Sequence, residues 1–438
     1  MSSRKGLSNS EEVPPIDLHG LVRELFPINR SLTGAGVRET LAILARHIQL
    51  EVREVPSGTA VLDWHVPLEW NIRGAAIRAL DGRCLVDFAD NNLHVVGYSK
   101  PIHEEVSRAE LAQHVHTLPD QPQLIPYRTG YFADDWGFCM PDNLWRTMQD
   151  ESYRVDIDSD LSPGSLTYGE LFLPGELSDE VLITAHVCHP SLANDNLSGI
   201  AVAVALAMRQ AQRRRQLGCR FLFIPATIGA ITWLAHNESQ LGKIRHGLVL
   251  TCIGDAGPFH YKLSRSGAPI DNAVAHILRH SGQPYEIVPF SPYGYDERQF
   301  CSPGFNLPVG CLMRSVHGTF PEYHTSADNV DFVKPQALNQ SYALVAELLD
   351  LLDGNRRYAR TDGRGEPQLG RRGLYRAIAG QKEAGGANQM DLLWLLNLAD
   401  GRHSLLDIAE RADIPFSRVQ AAVRLAKDAD LIREEHSP

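Results

Sequence analysis

Apolar positions along this chain fall into three regimes. Near the N-terminus, DLHGLVRELFP and GVRETLAILARHI carry apolar residues at three- and four-residue spacing, which predicts two helices. From about residue 50 to 125 the apolar runs shorten and are broken by SG, DG and NN, as in EVREVPSG and AAIRALDGRCLVDFADNNLHVVGYS. That texture predicts short strands joined by tight turns. From about 150 to 350 strand-like runs and helical periods alternate. EVLITAHV, CRFLFIPA, HGLVLTCIGDAG and FNLPVGCLMR read as strands. GIAVAVALAMRQAQRRRQ, AITWLAHNES, NAVAHILRHSG and ALNQSYALVAELLDLL read as helices. This alternation predicts an α/β sandwich on a largely parallel sheet, with ligands gathered where strands end.

The flanks complete the domain plan. Residues 1–15 are polar and aperiodic, as expected of a flexible leader. The α/β domain is expected over 16–48 and 126–355, interrupted by a β-rich insert over 49–125. That insert carries Trp64, Trp70, Asn92, His94 and Tyr98, which suit core and turn roles or one wall of a cleft. Residues 356–370 form a Gly- and Arg-rich linker. Over 371–438, MDLLWLLNLAD, SLLDIAERA, PFSRVQAAVRLAKDADLI and IREE read as a winged helix or a related helix-turn-helix.

Composition narrows the partners. With 438 residues the chain can build two or three domains, and its net charge of −11 argues against general polyanion binding. From Glu366 onward ten Lys/Arg face eleven Asp/Glu, and the third helix sets Arg418, Arg424 and Lys427 beside Asp428 and Asp430. Such a balance suits DNA poorly, so nucleic acid is not the expected partner. The tail is expected instead to lid the site or pack on a second copy through Trp394 and its Leu-rich face. No eighteen-residue apolar run occurs, so no membrane span is expected. The N-terminal stretch lacks the apolar core of a secretory signal, and seven cysteines follow no framework. Both point to reduced thiols in a cytoplasm.

The chemistry sits at strand ends. EVLITAHV runs into His186, Cys188, His189 and then Asp195; HGLVLTCIG ends at Asp255; HGTFPEYHTSADN brings Glu322, Tyr323 and His324. Any one of these is ordinary, since Asp195 alone would serve as a helix N-cap ahead of SGIAVAVALA. Several at one edge of a sheet are how imidazole and carboxylate hold zinc.

HVCHPSLANDNLSG, YHTSADNVDFV and DERQFCSPGFNLPV resemble the motifs of the zinc aminopeptidase superfamily. PSGTAVLDWHVPLEWNIRGA, NNLHVVGYS, LPDQPQLIPYRTGYF and PATIGAITWL resemble a bacterial branch with a β-rich insert, a C-terminal winged helix and links to polysaccharide or secondary-metabolite biosynthesis. The resemblance spans nearly the whole chain after the leader. It implies a three-layer aminopeptidase-like sandwich and a zinc-dependent hydrolase of small aminoacyl or peptide amides. It also implies metal roles: Asp195 as the central carboxylate that bridges two metals in two-metal members, Asp255 and His324 as the remaining ligands of one metal, and His186 as a ligand of the second. His189 has no counterpart, and Cys188 stands where typical members carry an Asp that orients the ligand His.

The main departure is PATIG. Typical members carry two adjacent glutamates there, a general base and a metal ligand; here they are Ala226 and Thr227. Losing the second favours one zinc over two, and losing the first removes the usual proton acceptor, at about 10²–10⁴ in rate. Three readings stay open: a substitution introduced to trap substrate, a natural variant with its base elsewhere, or a binding protein that has lost hydrolysis. For the second, Glu322 is the first candidate, since on a strand it would face the same side as His324. Tyr323 or backbone N–H groups after Asp195 would meet the oxyanion, and Asp296 and Glu297 a substrate amine.

Overall fold

The computed structural model describes residues 13–374 and 387–435. The leader expected over 1–15 lies, up to residue 12, outside the described residues. The chain divides into two units, 1–270 with 284–343 and 271–283 with 344–438.

In the first unit eight strands form one mixed sheet. Its centre is Gly218–Ile224, Glu180–His186, Ile244–Leu250 and Val309–Met313, all mutually parallel. Antiparallel neighbours close both sides: Ser165–Leu173 then Glu51–Pro56 on one, Phe259–Lys262 on the other with Tyr285–Val288 beyond it. The central strands are apolar almost throughout because both faces are covered; every residue of Glu180–His186 and of Gly218–Ile224 is buried. Helix Gly199–Ala211 packs on these two strands. The Cβ that any other residue would place at Gly199 would lie 2.4 Å from both Asn196 Oδ1 and the Leu250 carbonyl oxygen. Glycine therefore sets how closely this helix begins against the strand ends.

The insert is a four-stranded antiparallel sheet in the order Cys84–Asp87, Glu69–Ala79, Ser152–Ser162, Ile102–Ser107. Its core holds Ile77, Val86, Val106, Phe138, Tyr153, Val155 and Ile157. The expected boundaries of 49–125 shift at both ends. Glu51–Pro56 joins the main sheet, and Ser152–Ser162 returns from beyond residue 125 to sit in the middle of the insert. Strand texture is a local property, whereas the choice of sheet is decided by non-local pairing.

The second unit carries helices Gln389–Leu398, Leu405–Ala412 and Phe416–Asp428 with a three-stranded sheet, Asp400–Ser404, Arg357–Arg360 and Ile432–Glu435. The expected linker 356–370 thus contributes its first residues to the winged-helix sheet. Asn388 and Ser404 each close a capping box, which fixes where two of the helices start. Among the described residues no helix is long and apolar enough to cross a membrane.

Candidate metal centre

The strand Glu180–His186 and the loop after it deliver His186, Cys188 and His189. The next turn, ANDN, returns Asp195 to the same place. Asp195 is wholly buried, and its two oxygens face different imidazoles: Oδ1 lies 2.9 Å from His186 Nε2 and Oδ2 lies 3.0 Å from His324 Nε2. His186, His189 and Asp195 each offer a ligand atom within 4.8 Å of the others. His189 stands edge-on to His186 and tilted to His324, with ring centroids 4.8 and 5.3 Å apart. Three histidines therefore surround one carboxylate.

The turn is held by groups around it. Asp328 accepts from the backbone N–H of Asn194 at 2.6 Å and of Asp195 at 3.0 Å. Asn196 donates to the Leu250 carbonyl at 2.9 Å, and its amide nitrogen lies 3.3 Å from His186 Nδ1. Arg30, fully buried, donates to the His189 carbonyl at 3.1 Å. His324 has φ +54°, a left-handed conformation that a β-unbranched ring tolerates only when its surroundings impose it. Tyr127 supplies them: its N–H donates to the His324 carbonyl at 2.8 Å, and its ring stands edge-on to His189 and His324.

The protonation states suit a metal. Burial alone would raise the Asp195 pKa, but the three histidines outweigh it and hold the carboxyl well below its ordinary range. Burial lowers His189 to about 3, which keeps the imidazole neutral. Ionised carboxylate and neutral imidazole are the forms that bind zinc.

The other expected site residues separate into groups. Asp255 is buried but saturated: Oδ1 accepts from Gly257 N–H (2.7 Å) and the Ser315 hydroxyl (2.8 Å), and Oδ2 from the Asn194 amide (2.9 Å) and Ser315 N–H (3.2 Å). With both oxygens so engaged it braces Asn194, next to Asp195. Glu322 lies in a turn, so the alternation that would aim it beside His324 does not operate; its carboxylate has no hydrogen bond among the described residues. Tyr323 stacks on His324 at 3.9 Å, and its hydroxyl lies 3.2 Å from that of Tyr295. Ala226 sits half-buried at the strand end, its carbonyl 3.7 Å from Cys188 Sγ. Burial pushes the Cys188 thiol up, so it stays a thiol.

The YGYDERQF loop comes to the centre. Tyr295 stacks on His186 with ring centroids 4.8 Å apart. Next to it Asp296 is 1% exposed, and its Oδ1 has no hydrogen-bond partner among the described residues. Burial raises Asp296 to about 7 against the opposing pull of His186. Glu297 differs, since Lys262 Nζ sits 2.7 Å from its Oε1 and meets its charge. Of the insert residues, Trp70 is core: its Nε1 donates to the Ser99 carbonyl at 2.9 Å and its ring stacks on Tyr98. Asn92 bonds Ser191 Oγ at 2.7 Å, His94 the Cys139 carbonyl at 2.8 Å, and Trp64 is exposed beside Phe132. Sequence reasoning missed Tyr127, Tyr295, Arg30 and Ser315. None stands in a run of ligand-type residues, although Tyr295 directly precedes the acidic pair.

Comparison with known proteins agrees with this architecture. A family model described as "Domain of unknown function (DUF4910)" matches residues 19–355, and one described as "winged helix-turn-helix" matches 356–434. A Clostridium acetobutylicum relative described as "Putative polysaccharide biosynthesis protein with aminopeptidase-like domain" is 45% identical over 430 residues, 98% of each chain. The crystal structure of a "putative peptidase" from the same organism superposes with a TM-score of 0.91 at 44% identity, covering 95% of this chain and 96% of that one. The zinc aminopeptidase BSAP from Bacillus subtilis shares the fold at 12% identity, with a TM-score of 0.57 over 78% of this chain and 96% of its own. The chain therefore belongs to the family described as a domain of unknown function, DUF4910, here an aminopeptidase-like α/β fold followed by a winged helix-turn-helix.

Proposed function

We propose that the protein is a zinc-dependent aminopeptidase-like amidohydrolase that cleaves a small aminoacyl or peptide amide in a polysaccharide or natural-product pathway. The observation that carries this reading is the buried Asp195 carboxylate ringed by His186, His189 and His324. His186, Asp195 and His324 would hold the metal, with His189 as a fourth donor. One zinc is favoured over two, because among the described residues Asp195 is the only carboxylate of the gathered donors and a second divalent charge would be poorly compensated. Bound there, zinc would polarise a substrate carbonyl and lower the pKa of a coordinated water to about 7.

The chain's own groups supply the rest. Burial keeps the Tyr323 hydroxyl protonated, and its bond to Tyr295 orients it as a donor to a developing oxyanion. Lys262 pairs with Glu297 through Oε1, so of the two adjacent acids Asp296 is the one without an ion pair among the described residues. All seven cysteines are unpaired, six of them buried, which supports a reducing cytoplasm. A second reading, a metal-bearing protein that binds without hydrolysis, draws on the missing carboxylate at Ala226.

The test is elemental analysis of protein purified without chelator or nickel, alongside assay against a panel of aminoacyl amides. About one zinc per chain and a chelator-sensitive, zinc-restorable hydrolysis are expected. Zinc without turnover would favour the binding reading, and a metal-free chain would overturn both.

A further inference from the structure

Position 226 leaves the centre without the carboxylate that a water-activating site needs, yet a second acid is poised nearby. Asp296 lies on the loop whose Tyr295 stacks on His186. It is 1% exposed, and its Oδ1 is a buried acceptor without a donor among the described residues. Leaving such an acceptor unmet costs about 1–3 kcal/mol, so an orphan of this kind calls for a role. The charged and titratable groups that face it are His186 at the strand end, Glu297 and Arg298 on its own short helix, the Cys188 thiol from the loop after His186, and the Cys311 thiol of the strand Val309–Met313. Cys188 in turn touches the Ala226 carbonyl, which puts Asp296 and position 226 around the same few residues. The helix Ile228–Asn237, which starts just after Ala226, packs against Glu297–Phe300, which starts just after Asp296. Its neighbour Glu297 pairs with Lys262 through Oε1, while its Oε2 is also a buried acceptor without a donor among the described residues; Glu322 lies half-buried in a turn.

We propose that Asp296 is the proton acceptor for the attacking water, standing in for the carboxylate that position 226 lacks. The assignment rests on the hydrolase reading above. As the water oxygen bonds the carbonyl carbon, one water proton passes to Asp296 Oδ1. As the C–N bond breaks, Asp296 returns that proton to the leaving nitrogen, so the carboxylate is regenerated and no other reactant is consumed.

The experiment compares the unmodified chain, Asp296→Asn, and Asp296→Asn combined with Ala226→Glu. Each is measured for kcat and KM, for zinc content, for pH profile and, by calorimetry, for affinity toward a reduced-bond analogue of the substrate. In Asp296→Asn, kcat is expected to fall about 10²–10⁴-fold while zinc content, KM and analogue affinity hold. Restoring a carboxylate at position 226 then recovers turnover, which a merely structural role for Asp296 would not permit. An Asp296→Asn chain that keeps its rate, or whose loss is matched by loss of zinc or analogue binding, overturns the assignment. An unmodified chain that holds zinc and binds the analogue but cleaves no amide overturns the hydrolase reading, and this role with it.

Discussion

Each unit buries an aspartate at its centre, and the two are dressed differently. Asp195 meets three imidazoles, groups that can give up a proton and take a metal. Asp391, 1% exposed at the start of Gln389–Leu398, meets the Arg418 guanidinium through two parallel bonds of 2.9 and 2.7 Å and also closes the capping box with Asn388. A guanidinium does not deprotonate, so that pair is a fixed clamp. The difference teaches how to tell a reactive buried charge from a structural one. Around Asp195 the partners are exchangeable and a neighbouring acid has an unmet oxygen; around Asp391 the partners are permanent. The clamp also removes Arg418 from the set of cations that the third helix could offer to phosphate.

The largest effect that can break this contrast is at the metal centre. Asp195→Asn keeps the shape but removes the charge that three histidines and the proposed divalent ion would share. Zinc retention, read by elemental analysis after dialysis, should weaken by well over the 10–100-fold that loss of an outer partner costs, and hydrolysis should go with it. If the variant keeps its zinc, the centre lies elsewhere in the first unit. In the second unit, Asp391→Ala removes the clamp and the cap together. About 3 kcal/mol of stability should be lost, visible as a lowered denaturation midpoint of the winged-helix transition, with zinc content and hydrolysis unchanged. A fall in turnover would mean that the tail serves the site.

Much of this was legible in the sequence, for stated reasons. The four central strands and their helices were readable because burial on both faces leaves uninterrupted apolar runs, as in EVLITAHV. His186, Asp195 and His324 were singled out as strand-end residues, and the structure brings them together although only His186 ends a strand; Asp195 and His324 arrive from turns. The roles of Asp255 and Glu322 depended on what the sequence does not carry. Asp255 is saturated by Ser315 and Gly257, one of them sixty residues away, and Glu322 lies on a turn rather than a strand. The insert boundary failed likewise, because Ser152–Ser162 crosses to the middle of a sheet whose other strands precede residue 110. Local pattern fixes elements, and the long-range pairings that place them have to be seen.

The smallest effect concerns protons in the second unit. His276 on helix Pro269–His280 is buried; its Nε2 accepts from the Phe416 N–H at 3.1 Å, so its Nδ1 is the protonated nitrogen and donates to Glu410. Arg279 also bonds Glu410, at 3.0 Å, and His280 and Asp413 are the remaining titratable groups around it. Burial lowers the His276 pKa below its ordinary value, an effect larger than the opposing pull of Glu410. The unfolded chain therefore takes up a proton that the native unit refuses, and stability falls as pH drops through the ordinary imidazole value of about 6.5. Glu410, held below its ordinary value by His276 and Arg279 despite partial burial, adds a second loss only at lower pH, as its carboxylate protonates. Denaturation of the winged-helix transition should show both steps, and His276→Gln, which keeps a donor for Glu410 but cannot take up a proton, should erase the upper one. A profile flat between pH 7 and 5 in the unmodified chain would show that this histidine takes up its proton as readily in the native unit as in the unfolded chain, and would remove burial as the source of the effect.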